Sequence, residues 1–129
     1  MVLGIGIDIV EIARVRRLMD RWRDRFLRRV FTDEELDYAR RRHDPAEHLA
    51  ARFAAKEATL KALGTGLSMG VRWREMEVRR APGQRPTLAL SGRTAALGEA
   101  RGIRRLHVSL THDAGLAIAQ VLAEGGEAP

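Results

Sequence analysis

The hydrophobic period of this chain changes once, and that change limits the folds open to it. One short alternating segment comes first. Residues 11–63 then repeat their apolar side chains at helical spacing, and beyond residue 75 alternation returns. One strand, a run of helices, then mostly antiparallel strands around a short helix is the order of an α+β domain.

Ile5, Ile7 and Ile9 alternate with Gly4, Gly6 and Asp8, so residues 2–10 read as a strand. Asp8 falls on the face opposite the isoleucines, and the glycines beside it leave room for a ligand. Residues 11–30 read as a helix whose buried stripe is Val15, Met19, Trp22, Phe26 and Val30. A break near Asp20 is compatible with the pattern, although no Gly or Pro marks one. Thr32-Asp33-Glu34-Glu35 is a capping box that opens a short helix over 33–41. Asp44-Pro45 opens the next helix, which carries Leu49, Phe53, Leu60 and Leu63 on one face and stops at Gly64. Strands are expected at 75–80 and 87–90, joined by a turn over 81–86. A helix follows at 94–100, then a strand pair at 106–111 and 116–122. The expected domain is single, residues 1–123, with a disordered tail at 124–129.

Composition excludes several chemistries. The 129 residues include no cysteine, which removes disulfides, thiolate catalysis and Cys-based zinc sites and fits a reducing compartment. No apolar run reaches the length of a membrane span, and the N-terminal run lacks a basic leader and is interrupted by Asp8. A cytoplasmic protein without membrane association is expected. The net charge of +6 favours anionic partners. Among 23 basic residues only Lys56 and Lys61 are lysines, and both fall in RFAAKEATLKALGTG. An ammonium is a compact point charge that a guanidinium does not replace, so the pairing hints that ammonium groups are wanted there.

Asp8 and Glu57 lie on elements that must pack together in a domain this small. Two carboxylates brought together attract a hard cation such as Mg²⁺. The plainer alternatives are that Asp8 caps the following helix and that Glu57 pairs with Lys61 at i,i+4. Lys56, Lys61 and the turn Gly64-Thr65-Gly66 can meet a phosphate, or the glycine can be an ordinary helix C-cap. Arg52, one turn before Lys56, can add a contact. The spacing is not that of a Walker loop. Ser109, His112 and Asp113 are too close in sequence for a catalytic triad, and no nucleophile elbow is present. His107 alternates with Ser109 and reads as structural. On a continuous helix Arg14, Arg17, Arg21, Arg25 and Arg28 form one stripe with Leu18 at its edge, which repels itself unless it meets an anion; the plainer alternative is a solvated face in an arginine-rich protein.

GIGIDIVEIARV at 4–15, RFAAKEATLKALGTG at 52–66 and HVSLTH at 107–112 resemble, in order and spacing, the holo-acyl-carrier-protein synthase group of phosphopantetheinyl transferases. The resemblance runs from about residue 2 to residue 123. It implies the 4′-phosphopantetheinyl transferase-like fold and transfer of the phosphopantetheine arm of coenzyme A to a serine of apo-acyl carrier protein. It further implies Asp8 and Glu57 as ligands of Mg²⁺, with Mn²⁺ as a substitute, and Lys61 at the coenzyme A pyrophosphate. Glu57 or a metal-bound water would take the serine proton. Arg52, Lys56, Lys61, Gly64, Gly66 and His112 would line the coenzyme A site. Arg14, Leu18, Arg21, Arg25 and Arg28 would dock the carrier, with Trp22 beside them. The group is trimeric, with sites at subunit interfaces. Two other readings compete. A small basic nucleic-acid-binding protein fits the charge but lacks an exposed aromatic set. A non-catalytic scaffold for carrier protein leaves the acids and lysines unexplained.

Overall fold

A computed structural model of the chain describes residues 1–126. In chain order the elements are β1 (Val2–Glu11), α1 (Ile12–Trp22), α2 (Asp24–Val30), α3 (Asp33–Arg40) and α4 (Pro45–Leu63). A single 3₁₀ turn (Trp73–Glu75) follows, then β2 (Met76–Arg79), β3 (Thr87–Leu90), α5 (Gly92–Ala100), β4 (Ile103–Asp113) and β5 (Leu116–Gly125). The fold is α+β. One antiparallel sheet has the order β1-β5-β4, and β2 pairs with β3 in a separate ribbon.

Helix α4 is the centre. It lies on β1 and β5, and the alanines at 50, 54, 55, 58 and 62 bury against Ala117, Ala119, Val121 and Ala123. Small side chains on both surfaces let helix and strand approach closely. At β1 the approach is closer still. A Cβ on Gly4 would overlap the carbonyl oxygen of Ala62, and one on Gly6 that of Ala58. The expected room for a ligand beside Asp8 is therefore filled by the backbone of α4.

Among the described residues nothing covers the opposite face of this sheet. Ile5, Ile7 and Ile9 are 58%, 59% and 56% exposed. Across the register they align with Leu122, Gln120 and Ile118 of β5, and these with His107, Ser109 and Thr111 of β4. At the far end of β4 and β5, Ala114 and Gly115 both have positive φ, 51° and 78°. That is the two-residue turn that joins twisted antiparallel strands without splaying them.

The capping box holds as read: the Glu35 amide donates to Thr32 Oγ1 at 3.2 Å, and the Thr32 amide donates to Glu35 Oε1 at 2.9 Å. The expected helix over 11–30 is two helices. Arg23 breaks it with φ of 47° and ψ of −125°, a glycine-favouring conformation that costs an arginine on the order of 1–3 kcal/mol. Redirecting α2 lets the Phe26 ring meet the edges of Phe31 and Phe53, at centroid distances of 5.8 and 6.3 Å. Tertiary contact thus overrides the local preference. Trp22, assigned to the buried stripe, is exposed at the end of α1. The expected tail begins too early: Glu124 pairs with Val2 and Arg105 inside the sheet, and Gly125 ends β5. Residues 127–129 of that tail lie outside the described residues.

Gly6→Ala should lower stability by about 3 kcal/mol or more, because the added methyl meets backbone rather than a movable side chain. The midpoint of urea unfolding measures it; an unchanged midpoint would contradict the close approach.

Candidate active site

Beyond His48, every residue of α4 is buried except Glu57 and Lys61. These two are one turn apart and emerge beside β1, where Asp8 projects from the same strand face as Gly6 and Val10. Lys61 Nζ donates to Asp8 Oδ1 at 3.1 Å and to the Ile7 carbonyl at 2.9 Å. The Glu57 carboxyl is pushed above its ordinary value, first by burial and then by the negative charge of Asp8, while Lys61 and Arg14 pull the other way. Arg14 also lies over the Phe53 ring, 5.9 Å from its centroid. Two carboxylates, an ammonium and a guanidinium therefore converge at one edge of the β1–α4 contact. The expected pairing of Glu57 with Lys61 gives way to a pairing of Lys61 with Asp8.

This donor set fits a hard divalent cation. The repulsion felt by Glu57 is the mark of two acids held together without full compensation, and both offer oxygen ligands. Among the described residues no group of three or more metal-ligating side chains converges. A pair of carboxylates suits a cation that completes its shell with water and phosphate.

Other expected residues lie elsewhere. Lys56 is corrected most sharply: its side chain is 0% exposed and ion-paired to Glu35 at 2.6 Å, so its ammonium does not reach a ligand at the surface. Arg52 is also buried. Its guanidinium packs on the Tyr38 ring at 4.1 Å, Nη1 donates to the His48 carbonyl at 3.4 Å, and its buried Nε has no partner among the described residues. It borders a cavity of about 350 Å³ with Tyr38, Arg41, Arg42 and Arg80. Burial pushes the Tyr38 phenol up, but Arg42 and Arg52 beside it bring it below its ordinary value. Gly64 caps α4 in the left-handed region at φ of 76°, and Gly66 at φ of 56° faces open space. His112 Nε2 lies 3.1 Å from Glu47 Oε1. Its register row, His112–Ala117–Val10, puts it two strands, roughly 10 Å, from β1. A single compact ligand does not bridge His112 and Asp8; an extended one can.

The arginine stripe divides at Arg23. Arg14, Arg17, Arg21 and Leu18 belong to α1, and Arg25 and Arg28 to α2. The two sets stay joined through Trp22, whose ring has Arg21 and Arg25 at 5.1 and 5.9 Å from its centroid. Tyr38, Arg42, Arg80, Glu35 and Glu47 were not singled out as site residues. Only Glu35 carried a signal, and that signal was a helix cap.

A family model described as the 4′-phosphopantetheinyl transferase superfamily matches residues 4–120. A holo-[acyl-carrier-protein] synthase from Koribacter versatilis is 46% identical over 124 residues, covering 96% of this chain and 99% of that protein. The crystal structure of the Neisseria meningitidis holo-[acyl-carrier-protein] synthase matches with a TM-score of 0.88 at 35% identity, over 96% of this chain and 99% of that one. The Helicobacter pylori holo-[acyl-carrier-protein] synthase in complex with coenzyme A matches with a TM-score of 0.82 at 32% identity, over 93% and 99%.

Because the folded state raises Glu57, it holds that proton more tightly than the unfolded chain, and charging the group opposes folding. Stability contributed at this site is present at acid pH and lost as pH rises from the ordinary value of 4.5 through the raised one. Glu57→Gln should therefore unfold at higher temperature than the parent at neutral pH in chelator, with the gap closing near about pH 4. A gap that stays constant with pH would contradict the assignment.

Proposed function

The chain belongs to the holo-[acyl-carrier-protein] synthase family of 4′-phosphopantetheinyl transferases, and on that premise we propose that it transfers the phosphopantetheine arm of coenzyme A to a serine of apo-acyl carrier protein with the help of Mg²⁺. The observation that carries the reading is the meeting of Asp8, Glu57 and Lys61 at one edge of β1 and α4. Asp8 and Glu57 would hold the cation, which when bound supplies positive charge to the pyrophosphate. Lys61, exposed enough to reach a ligand while tethered to Asp8, adds an ammonium to the same phosphates. The serine hydroxyl forms a bond to the β-phosphorus as the pyrophosphate P–O bond breaks, and adenosine 3′,5′-bisphosphate leaves. The serine proton would pass to the Glu57 carboxylate or to water at the same site. Just past the Gly64 cap of α4, Gly66 offers open backbone to the rest of coenzyme A.

The basic surface of α1 and α2 fits an acidic carrier. Arg14, Arg21, Arg25 and Arg28 surround the half-buried Leu18 and the exposed Trp22, which gives charge for steering and apolar area for contact. A nucleic-acid partner would also fit the charge, but among the aromatic side chains only Trp22 is exposed, which is too few for a base-stacking surface. A homotrimer would cover Ile5, Ile7 and Ile9, which lie more than half exposed side by side on one sheet face. It would also bring residues of a second copy toward the Asp8 edge. Among the described residues no helix is long and apolar enough to cross a membrane.

Incubation of this protein with apo-acyl carrier protein, coenzyme A and Mg²⁺ should raise the intact mass of the carrier by one phosphopantetheinyl unit. Chelation should abolish the gain, and Asp8→Ala should slow it by about 10²-fold or more. Full activity in chelator or in Asp8→Ala would refute the metal assignment. Arg21→Glu should lower kcat/KM for carrier by about tenfold, less so at high salt, and leave the KM for coenzyme A unchanged. Equal loss toward both substrates would contradict the docking surface.

A further inference from the structure

Lys56 and Glu35 stand outside the chemistry above, yet their pairing is the most heavily connected polar contact in the interior. Lys56 Nζ lies 2.6 Å from Glu35 Oε1 and donates to the carbonyls of Met76 at 2.6 Å and Trp73 at 3.0 Å. All three donors of the ammonium are thus used. Glu35 Oε1 also accepts from the Thr32 amide, and Oε2 accepts from the Val78 amide at 2.9 Å. Both side chains are 0% exposed. One ion pair therefore ties the start of α3, the middle of α4, the start of the 3₁₀ turn and strand β2. An arginine cannot replace the lysine there, because a planar fork does not present three donors from a single nitrogen. In a chain with 21 arginines, this explains why one of its two lysines is retained.

The next residue is Glu57, turned about 100° around the helix toward β1 and Asp8. Helix α4 is held on the β1 side by the backbone contacts at Gly4 and Gly6 and on the α3 side by Lys56. The β1 contacts fix how close the helix lies. Glycines have no side chain to interlock, so they do little to fix its rotation. Resting on the function proposed above, we infer that Lys56 and Glu35 are a buried positioning pair that sets the rotation of α4 and so aims Glu57 at Asp8. A shift of about 1 Å at a reacting group is worth on the order of 10²-fold in rate, so a small rotation is enough to matter.

The test is the double variant Glu35→Gln with Lys56→Met, which removes both charges while the introduced amide keeps an acceptor for the helix cap. Mn²⁺ binding to the protein alone, followed by electron paramagnetic resonance, is read beside turnover and thermal unfolding. The expected result is a cooperatively folded protein that binds Mn²⁺ at least about tenfold more weakly and loses about tenfold or more in kcat. The KM for carrier protein should stay as in the parent, because α1 and α2 are untouched. A folded double variant with parental Mn²⁺ affinity and kcat would overturn the positioning role and leave the proposed function intact. A parent protein that binds Mn²⁺ but transfers nothing would overturn the function, while the Mn²⁺ comparison would still decide the positioning. A parent that does neither would overturn both. If the double variant does not fold, Lys56→Arg gives the same readout: weakened Mn²⁺ binding is expected, and parental binding would overturn the role.

Discussion

Strand β1 and helix α4 meet backbone to backbone, and the rest of the site depends on that contact. Gly4 and Gly6 remove the side chains that would hold the helix at an ordinary strand–helix distance. The alanines of α4 and β5 complete the same close layer. At that distance Asp8, two residues beyond Gly6, comes beside Glu57 and Lys61 rather than facing solvent alone. The electrostatics of the site are a consequence: Glu57 becomes harder to ionise because burial and Asp8 both act on it. The folded chain thus holds a charge conflict that a bound cation would relieve.

The two lysines of α4 show how one helix separates structure from chemistry. Five residues apart, they point about 140° away from each other. Lys56 turns inward to a carboxylate and two carbonyls, where a compact ammonium is the group that fits. Lys61 turns to the β1 edge, keeps half of its side chain in solvent and leans on Asp8. Guanidinium groups do other work in this protein: they stack on Tyr38 and Trp22 and bond carbonyls, as Arg93 does with Met69 in a loop and Arg101 with Leu63 at the end of α4. Planar, delocalised cations suit flat partners and solvent, and a point cation suits a closed tetrahedral pocket.

Features set by near neighbours were readable from the residues alone. Thr32 and Glu35 cap α3, Pro45 starts α4 and Gly64 ends it, because each depends on backbone groups within a few positions. The strand at Thr87–Leu90 and the pairing of the last two strands follow from alternation and an intervening turn. A break near Asp20 was compatible with the pattern, but its place at Arg23 was not readable, since an arginine adopts positive φ only where distant rings, here Phe31 and Phe53, reward it. Nor was the end of the sheet: Glu124 is polar, but its backbone completes ladders on both sides.

By itself the sequence determined the α+β order of elements, the family, and the candidate acids Asp8 and Glu57 with Lys61, because motif spacing and hydrophobic period are properties of the chain. Only the tertiary structure decided which side of each element is covered. Period-two alternation assigns Ile5, Ile7 and Ile9 to one face and Gly4, Gly6 and Asp8 to the other, but it does not say which face meets the helix. Helical spacing likewise separates Lys56 from Lys61 without saying which is buried. Both answers come from packing between segments far apart in the chain, such as Gly6 against Ala58, and local sequence carries no record of such contacts.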